Sequence, residues 1–277
     1  MSARGWLVAA SGVAVGAALL LLAARVWGER SARRAWSELV LHGGDERFEA
    51  GTVAELPEPA RRYLLRAIEP GTPLARSVEL TMSGQLVLDP ERPPLAMQAE
   101  QILAPPAGFV WRARVASGVM RIRGFDLYAG GEGAMRWQLW GLVPVVRARG
   151  RDVDRSAAGR LAMEAILMPA ALVPGRGVTW EAVDENRARF VMTVGEETVV
   201  TTLDVSPEGR PVRASALRWT ADARPDGPGY EVFTVDLEGD LAAGGYTLPG
   251  RVVAGWRLGE ADELRFFDAR LESAVFR

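Results

Sequence analysis

From residue 75 to the C-terminus, apolar side chains recur at every second position. That period restricts most of the chain to half-buried antiparallel strands. Val78, Leu80 and Met82 alternate with polar residues, as do Met97, Ala99 and Gln101. Phe109, Trp111, Ala113 and Val115 alternate with Arg112 and Arg114, and Met120 and Ile122 with Arg121 and Arg123. Gly124 then shifts the alternation to Phe125 and Leu127, as a bulge would. Met135, Trp137 and Leu139 alternate with Arg136 and Gln138. About six strands are expected over 75–152, and seven more at 177–184, 187–195, 197–205, 211–220, 229–238, 250–258 and 263–275. Ser206-Pro207-Glu208-Gly209-Arg210-Pro211 is a hairpin signal, and 221–229 reads as a loop. So many strands do not stay flat, because twist makes large sheets curl. The expected fold is mainly β with helices (α+β). It is a curved antiparallel meander or open half-barrel of about 11–12 strands, packed on one or two helices.

Helical signals lie elsewhere. Trp6 to Trp27 reads WLVAASGVAVGAALLLLAARVW, with Arg25 as its only charge. As a helix it spans roughly 30 Å, enough for the hydrocarbon core, with a tryptophan at each interface. The run is long for a cleaved leader, Leu22 suits cleavage poorly, and no cysteine follows for a lipid anchor. Residues 28–42 continue as a juxtamembrane helix with Trp36, Leu39, Val40 and Leu41 as apolar positions, stopped by His42-Gly43-Gly44. In 55–68, Pro57 and Pro59 suit a first turn, and Tyr63, Leu64 and Ile68 form a stripe. A third helix is expected over 154–173, with Asp154 as N-cap, Leu161, Ala165 and Met168 on one face, and Arg160 four residues before Glu164. The chain thus divides into a transmembrane anchor (1–28), a juxtamembrane helix and linker (29–53), and one β-rich domain (54–277).

All 33 basic residues are arginine; there is no lysine or cysteine, and His42 is the single histidine. These absences exclude disulfides, Cys/His zinc sites, cysteine nucleophiles and lysine Schiff bases. Residues 1–36 hold five arginines against one glutamate, +4, which leaves −6 on the rest. An acidic body is a poor nucleic-acid binder. A literal count of flanking arginines places the domain in the cytoplasm, whereas a short basic N-terminus ordinarily stays inside while a long C-terminal domain is exported. The second is expected: a single-pass membrane protein with its large domain extracytoplasmic.

At LPEPARRYLLRAI, GFVWRARV and RGFDLYAGGEGAMRWQLWGLVPVVRARGRDVDRSAAGRLAMEAILMP, the chain resembles an uncharacterised family of bacterial membrane-anchored proteins, over most of 55–275. The order helix, sheet, helix, sheet is also similar to the half-barrel of periplasmic lipoprotein carriers and related lipid-binding domains. That resemblance implies a fold and no catalytic residues.

Two groups of residues could form a site. Phe109, Trp111, Met120, Phe125, Met135, Trp137, Trp140, Met163, Met168 and Trp180 could line a cavity for a flexible apolar ligand, or equally fill a core. Arg155, Arg160 and Glu164 on the third helix, with Asp126 and Asp152, form a polar cluster. It could grip an anionic group or simply tie helix to sheet. Gly130-Gly131-Glu132-Gly133 joins two strands and lacks the helix that a phosphate loop needs. Glu196-Glu197 and Glu260-Asp262-Glu263 lack the spacing of catalytic or calcium-binding carboxylates. No metal and no cofactor are expected. The expected function is membrane-anchored, non-catalytic binding of a lipid or other hydrophobic ligand in the cell envelope. The alternatives are a structural or signalling module that binds an envelope protein and, after it, an enzyme.

Overall fold

The computed structural model describes residues 28–277 apart from 90, 222–226 and 262. The apolar run 6–27, with the bilayer contact expected of it, lies outside the described residues. No helix among the described residues is long and apolar enough to cross a membrane.

A helix over 28–39 (α1) and the helix Glu58–Ala67 (α2) precede the sheet. Six strands follow as a meander: β1 Val78–Leu86, β2 Leu95–Ala104, β3 Gly108–Ser117, β4 Met120–Ala129, β5 Glu132–Leu139 and β6 Val143–Arg149. Helix α3, Arg151–Glu164, then crosses to a second series, β7 Val178–Ala182, β8 Arg187–Val194, β9 Glu197–Val205, β10 Pro211–Thr220 and β11 Gly229–Glu238. A short hairpin, β12 Leu241–Ala243 with β13 Tyr246–Leu248, leads to β14 Arg251–Trp256 and β15 Leu264–Phe276.

Thirteen of these strands form one antiparallel sheet, in the order β6-β5-β4-β3-β2-β1-β15-β14-β11-β10-β9-β8-β7. The two meanders meet where the first strand pairs with the last, from Val78↔Phe276 to Leu86↔Phe267. Helix α3 contacts β4, β5 and β6 on one wing and β8, β9 and β10 on the other. In a flat sheet β5 and β10 would lie roughly 38 Å apart at ~4.8 Å per strand. A helix only about 10–12 Å across touches both. The sheet therefore curls around α3 into an open half-barrel with β6 and β7 as its free edges.

The concave face carries the in-phase apolar residues: Val78, Leu80 and Met82; Met97 and Ala99; Phe109, Trp111, Ala113 and Val115. The convex face of β2–β4 is covered by α1, whose Ala32, Ala35 and Leu39 pack on Ile102, Ala104, Val110 and Phe125. This corrects one expectation. The β3–β4 register runs without a break from Gly108↔Ala129 to Ser117↔Met120, so Gly124 makes no bulge. Phe125 and Leu127 are apolar because they lie beneath α1, on the outer face. The helix also covers part of the arginine-bearing face: the Arg112 guanidinium stacks 4.2 Å from the Trp36 ring centre.

The third helix also differs from its expected bounds. It begins at Arg151 after Gly150, whose φ of 102° suits glycine, and ends at Glu164; 3-10 turns Ala165–Leu167 and Pro169–Leu172 follow. Asp154 is not its N-cap. Asp152 and Asp154 both lie in the first turn, where carboxylates favour the helix dipole. Asp154 Oδ1 accepts the Gly133 N–H at 2.7 Å and ties the helix to β5. Tyr63, fully buried on α2, donates its hydroxyl to the Ile166 carbonyl at 3.0 Å and fixes the segment after α3.

Candidate functional site

The half-barrel curls more widely than one helix can fill. A cavity of about 430 Å³ remains between α3 and the concave sheet. Its wall is mainly apolar, including Met82, Trp111, Phe233, Val252, Trp256 and Phe267 from strands of both wings and the β1/β15 seam. Its size lies within the roughly 300–1,000 Å³ of ordinary small-molecule sites.

Four charged side chains interrupt this wall. Asp126 points inward from β4, because it pairs in register with inward-facing Trp111 and Met135. Arg160 and Glu164, one turn apart on α3, face it. Arg160 Nη1 lies 3.2 Å from Asp126 Oδ2, and Arg160 Nε 2.7 Å from Glu164 Oε1. Trp137 Nε1 donates to Asp126 Oδ1 at 2.9 Å, and Gln101 Nε2 donates to Glu164 Oε2 at 2.6 Å. Burial pushes the Asp126 carboxyl above its ordinary range, against the pull of Arg160 and the Trp137 hydrogen bond. The fourth charge is Arg218 on β10, held against the start of α3 by Ser156.

Of the ten expected lining residues, Trp111, Met135, Trp137 and Met163 border the cavity. The other six do not. Phe109 is buried beneath the Arg160 guanidinium, 4.7 Å from its ring centre. Phe125 lies on the convex face under α1. Met120 is half-buried at the end of β4, opposite Ser117. Trp140 is 58% exposed in the β5–β6 turn, its indole N–H bonded to the Val119 carbonyl at 3.2 Å. Met168 is buried between the two 3-10 turns that follow α3. Trp180 packs against Phe190 at 5.2 Å and bonds the Leu172 carbonyl. Period two identifies a face; it does not tell which stretch of that face a helix covers.

The polar cluster also divides. Asp126, Arg160 and Glu164 come together as one hydrogen-bonded group. Asp152 is exposed on the first turn of α3. Arg155 joins a separate clamp, with Nε 2.9 Å from Glu197 Oε1, Nη2 donating to the Tyr230 hydroxyl at 2.7 Å, and its guanidinium 3.8 Å from the Trp219 ring centre. Arg218 and Gln101 were not among the expected site residues. Both carried a usable signal, a polar residue in phase with inward small or apolar ones: Ala214, Ala216, Arg218 and Met97, Ala99, Gln101. Among the described residues no group of three or more His, Cys, Asp or Glu could hold a metal ion.

No curated protein matches the chain. Several solved structures are similar to it. A LolA superfamily protein from Nitrosomonas europaea aligns with a TM-score of 0.44 and 11% identity, over 79% of this chain and 92% of that one. A domain assigned as an outer membrane lipoprotein-sorting protein from Vibrio parahaemolyticus aligns at 0.41 and 11%, over 79% and 91%. A DUF1329 family protein from Desulfovibrio piger aligns at 0.36 and 10%, over 73% and 86%. The model of a family of unknown function, DUF6544, matches residues 46–269, and the chain belongs to that family.

Proposed function

We propose that this protein is a non-catalytic holder or carrier of a hydrophobic ligand, anchored by residues 6–27 in a bacterial cytoplasmic membrane with its half-barrel on the extracytoplasmic side. The observation that carries this reading is the 430 Å³ apolar cavity between α3 and the sheet. Interiors normally close to a packing density that leaves few voids larger than water. A void of this size beneath a helix, lined by methionine, phenylalanine and tryptophan, suits a flexible apolar chain. Native mass spectrometry of the full-length chain, extracted from membranes, tests it. Co-purifying lipid-mass adducts are expected on the wild type and are expected to vanish on Ala254→Trp, which fills the cavity from β14. A wild type that carries no adduct and takes up no apolar dye would end the reading.

A second reading is an envelope-partner module, favoured by the free edge strand β6. Its Val143, Val145 and Val146 are exposed beside Leu142, and unpaired edges accept further strands. A photo-crosslinking residue at Val143 that captures a defined partner strand would favour it.

A further inference from the structure

The two arginines of the cavity are partnered differently. Arg160 meets two carboxylates, and those carboxylates are completed by Trp137 and Gln101. Arg218 meets no carboxylate among the described residues. Its Nε donates to the Ser156 carbonyl at 3.0 Å and its Nη2 to Ser156 Oγ at 3.3 Å, both neutral acceptors. Its guanidinium lies 4.8 Å from the Phe233 ring centre and 5.7 Å from that of Trp256. A guanidinium has five N–H donors, Ser156 takes two of them, and Arg218 is part of the cavity wall.

The electrostatics agree with this geometry. Burial, followed by repulsion from Arg160, lowers the Arg218 pKa to about 10, and the opposing pull of Glu164 and Asp126 is too weak to restore it. The side chain stays charged at neutral pH in a place that disfavours its charge. An anion delivered into the same cavity would relieve that, and Arg grips oxyanions through two parallel N–H bonds.

We propose that the cavity takes a single-chain amphiphile, its anionic head on the Arg218 guanidinium and its chain along Met82, Val252 and Phe267. This rests on the cavity being a ligand site. A cavity of 430 Å³ has room for one such chain. A carboxylate and a phosphate monoester share the required chemistry.

The test compares tetradecanoate, tetradecyl phosphate and tetradecanol at pH 8 as displacers of N-phenyl-1-naphthylamine. The full-length chain is held in amphipol, and the Ala254→Trp signal is subtracted as background. In the wild type at least one anion is expected to bind tenfold or more tighter than the alcohol, and the better of the two identifies the head. Arg218→Met is expected to weaken that anion by roughly 10- to 100-fold, as for loss of a charged hydrogen bond, while alcohol and dye stay within about threefold. Arg218→Lys, which keeps the charge without the fork, is expected to fall between. Equal binding of alcohol and anions by the wild type would overturn the head-group assignment and leave the apolar cavity standing; so would unchanged anion binding by Arg218→Met. The wild-type comparison decides even where the variant does not fold. No binding of dye, alcohol or anion would overturn this proposal and the cavity reading together.

Discussion

The Trp137 indole occupies the space in front of Gly124: an ideal Cβ on that glycine would lie 2.6 Å from Trp137 Cδ2. The missing side chain lets the indole lie across β4 and donate to Asp126. The local sequence conceals this, because Phe125 and Leu127 flank an inward charge and resemble a shifted alternation. Asp126 itself has a measurable signature. Its folded pKa lies above the ordinary 3.8, so the native state holds the proton more tightly than the unfolded chain does. Its contribution therefore makes stability fall as pH rises from about 3.8 through the folded value. Asp126→Asn is expected to remove that segment of slope, as read by urea unfolding at a series of pH values between 4 and 7. Identical slopes for wild type and variant would show that the carboxyl titrates normally.

Among the elements, α3 links the two wings, and Gly159 lies against the Arg218 stem of β10. A Cβ there would lie 3.1 Å from Arg218 Cγ. In an open helix Gly→Ala gains about 0.8–1 kcal/mol. Here the added methyl presses on the stem of the arginine, so Gly159→Ala is expected to change stability by less than about 0.5 kcal/mol, the crowding cost offsetting the propensity gain. Chemical denaturation checks it, and a full gain would mean that the Arg218 stem moves aside freely. The existence of α3 was legible from the Arg160–Glu164 spacing and the Leu161 stripe. Its start was not, because Asp154 has the residue type of an N-cap while its carboxylate is already committed to Gly133 on β5.

At the scale of the molecule, the sheet is one surface because β15 pairs with β1 along all of β1. The cavity lies against that seam, with Met82 and Leu271 among its walls. A ligand that binds only the folded half-barrel adds about 2.7 kcal/mol at a free concentration 100-fold above its Kd. At roughly 2–4 °C per kcal/mol for a domain of this size, the Tm is expected to rise by about 5–10 °C. Differential scanning calorimetry with saturating ligand measures it; an unchanged Tm on Ala254→Trp under the same conditions assigns the shift to the cavity.

The sequence alone determined the strands and the inward face of most of them, the short helix within 55–68, the presence of a helix between two β series, and the absence of cysteine and lysine chemistry. Each of these follows from local periodicity or residue type, which act within a few positions of one another. Only the tertiary structure decided the rest: that β15 returns to β1, that α1 covers the convex face, that α3 leaves a cavity rather than filling it, and that Arg218 faces that cavity without a carboxylate. Those outcomes depend on how far a twisted sheet curls around one helix, and on contacts between residues more than fifty positions apart. Alternation along a single strand carries no record of either.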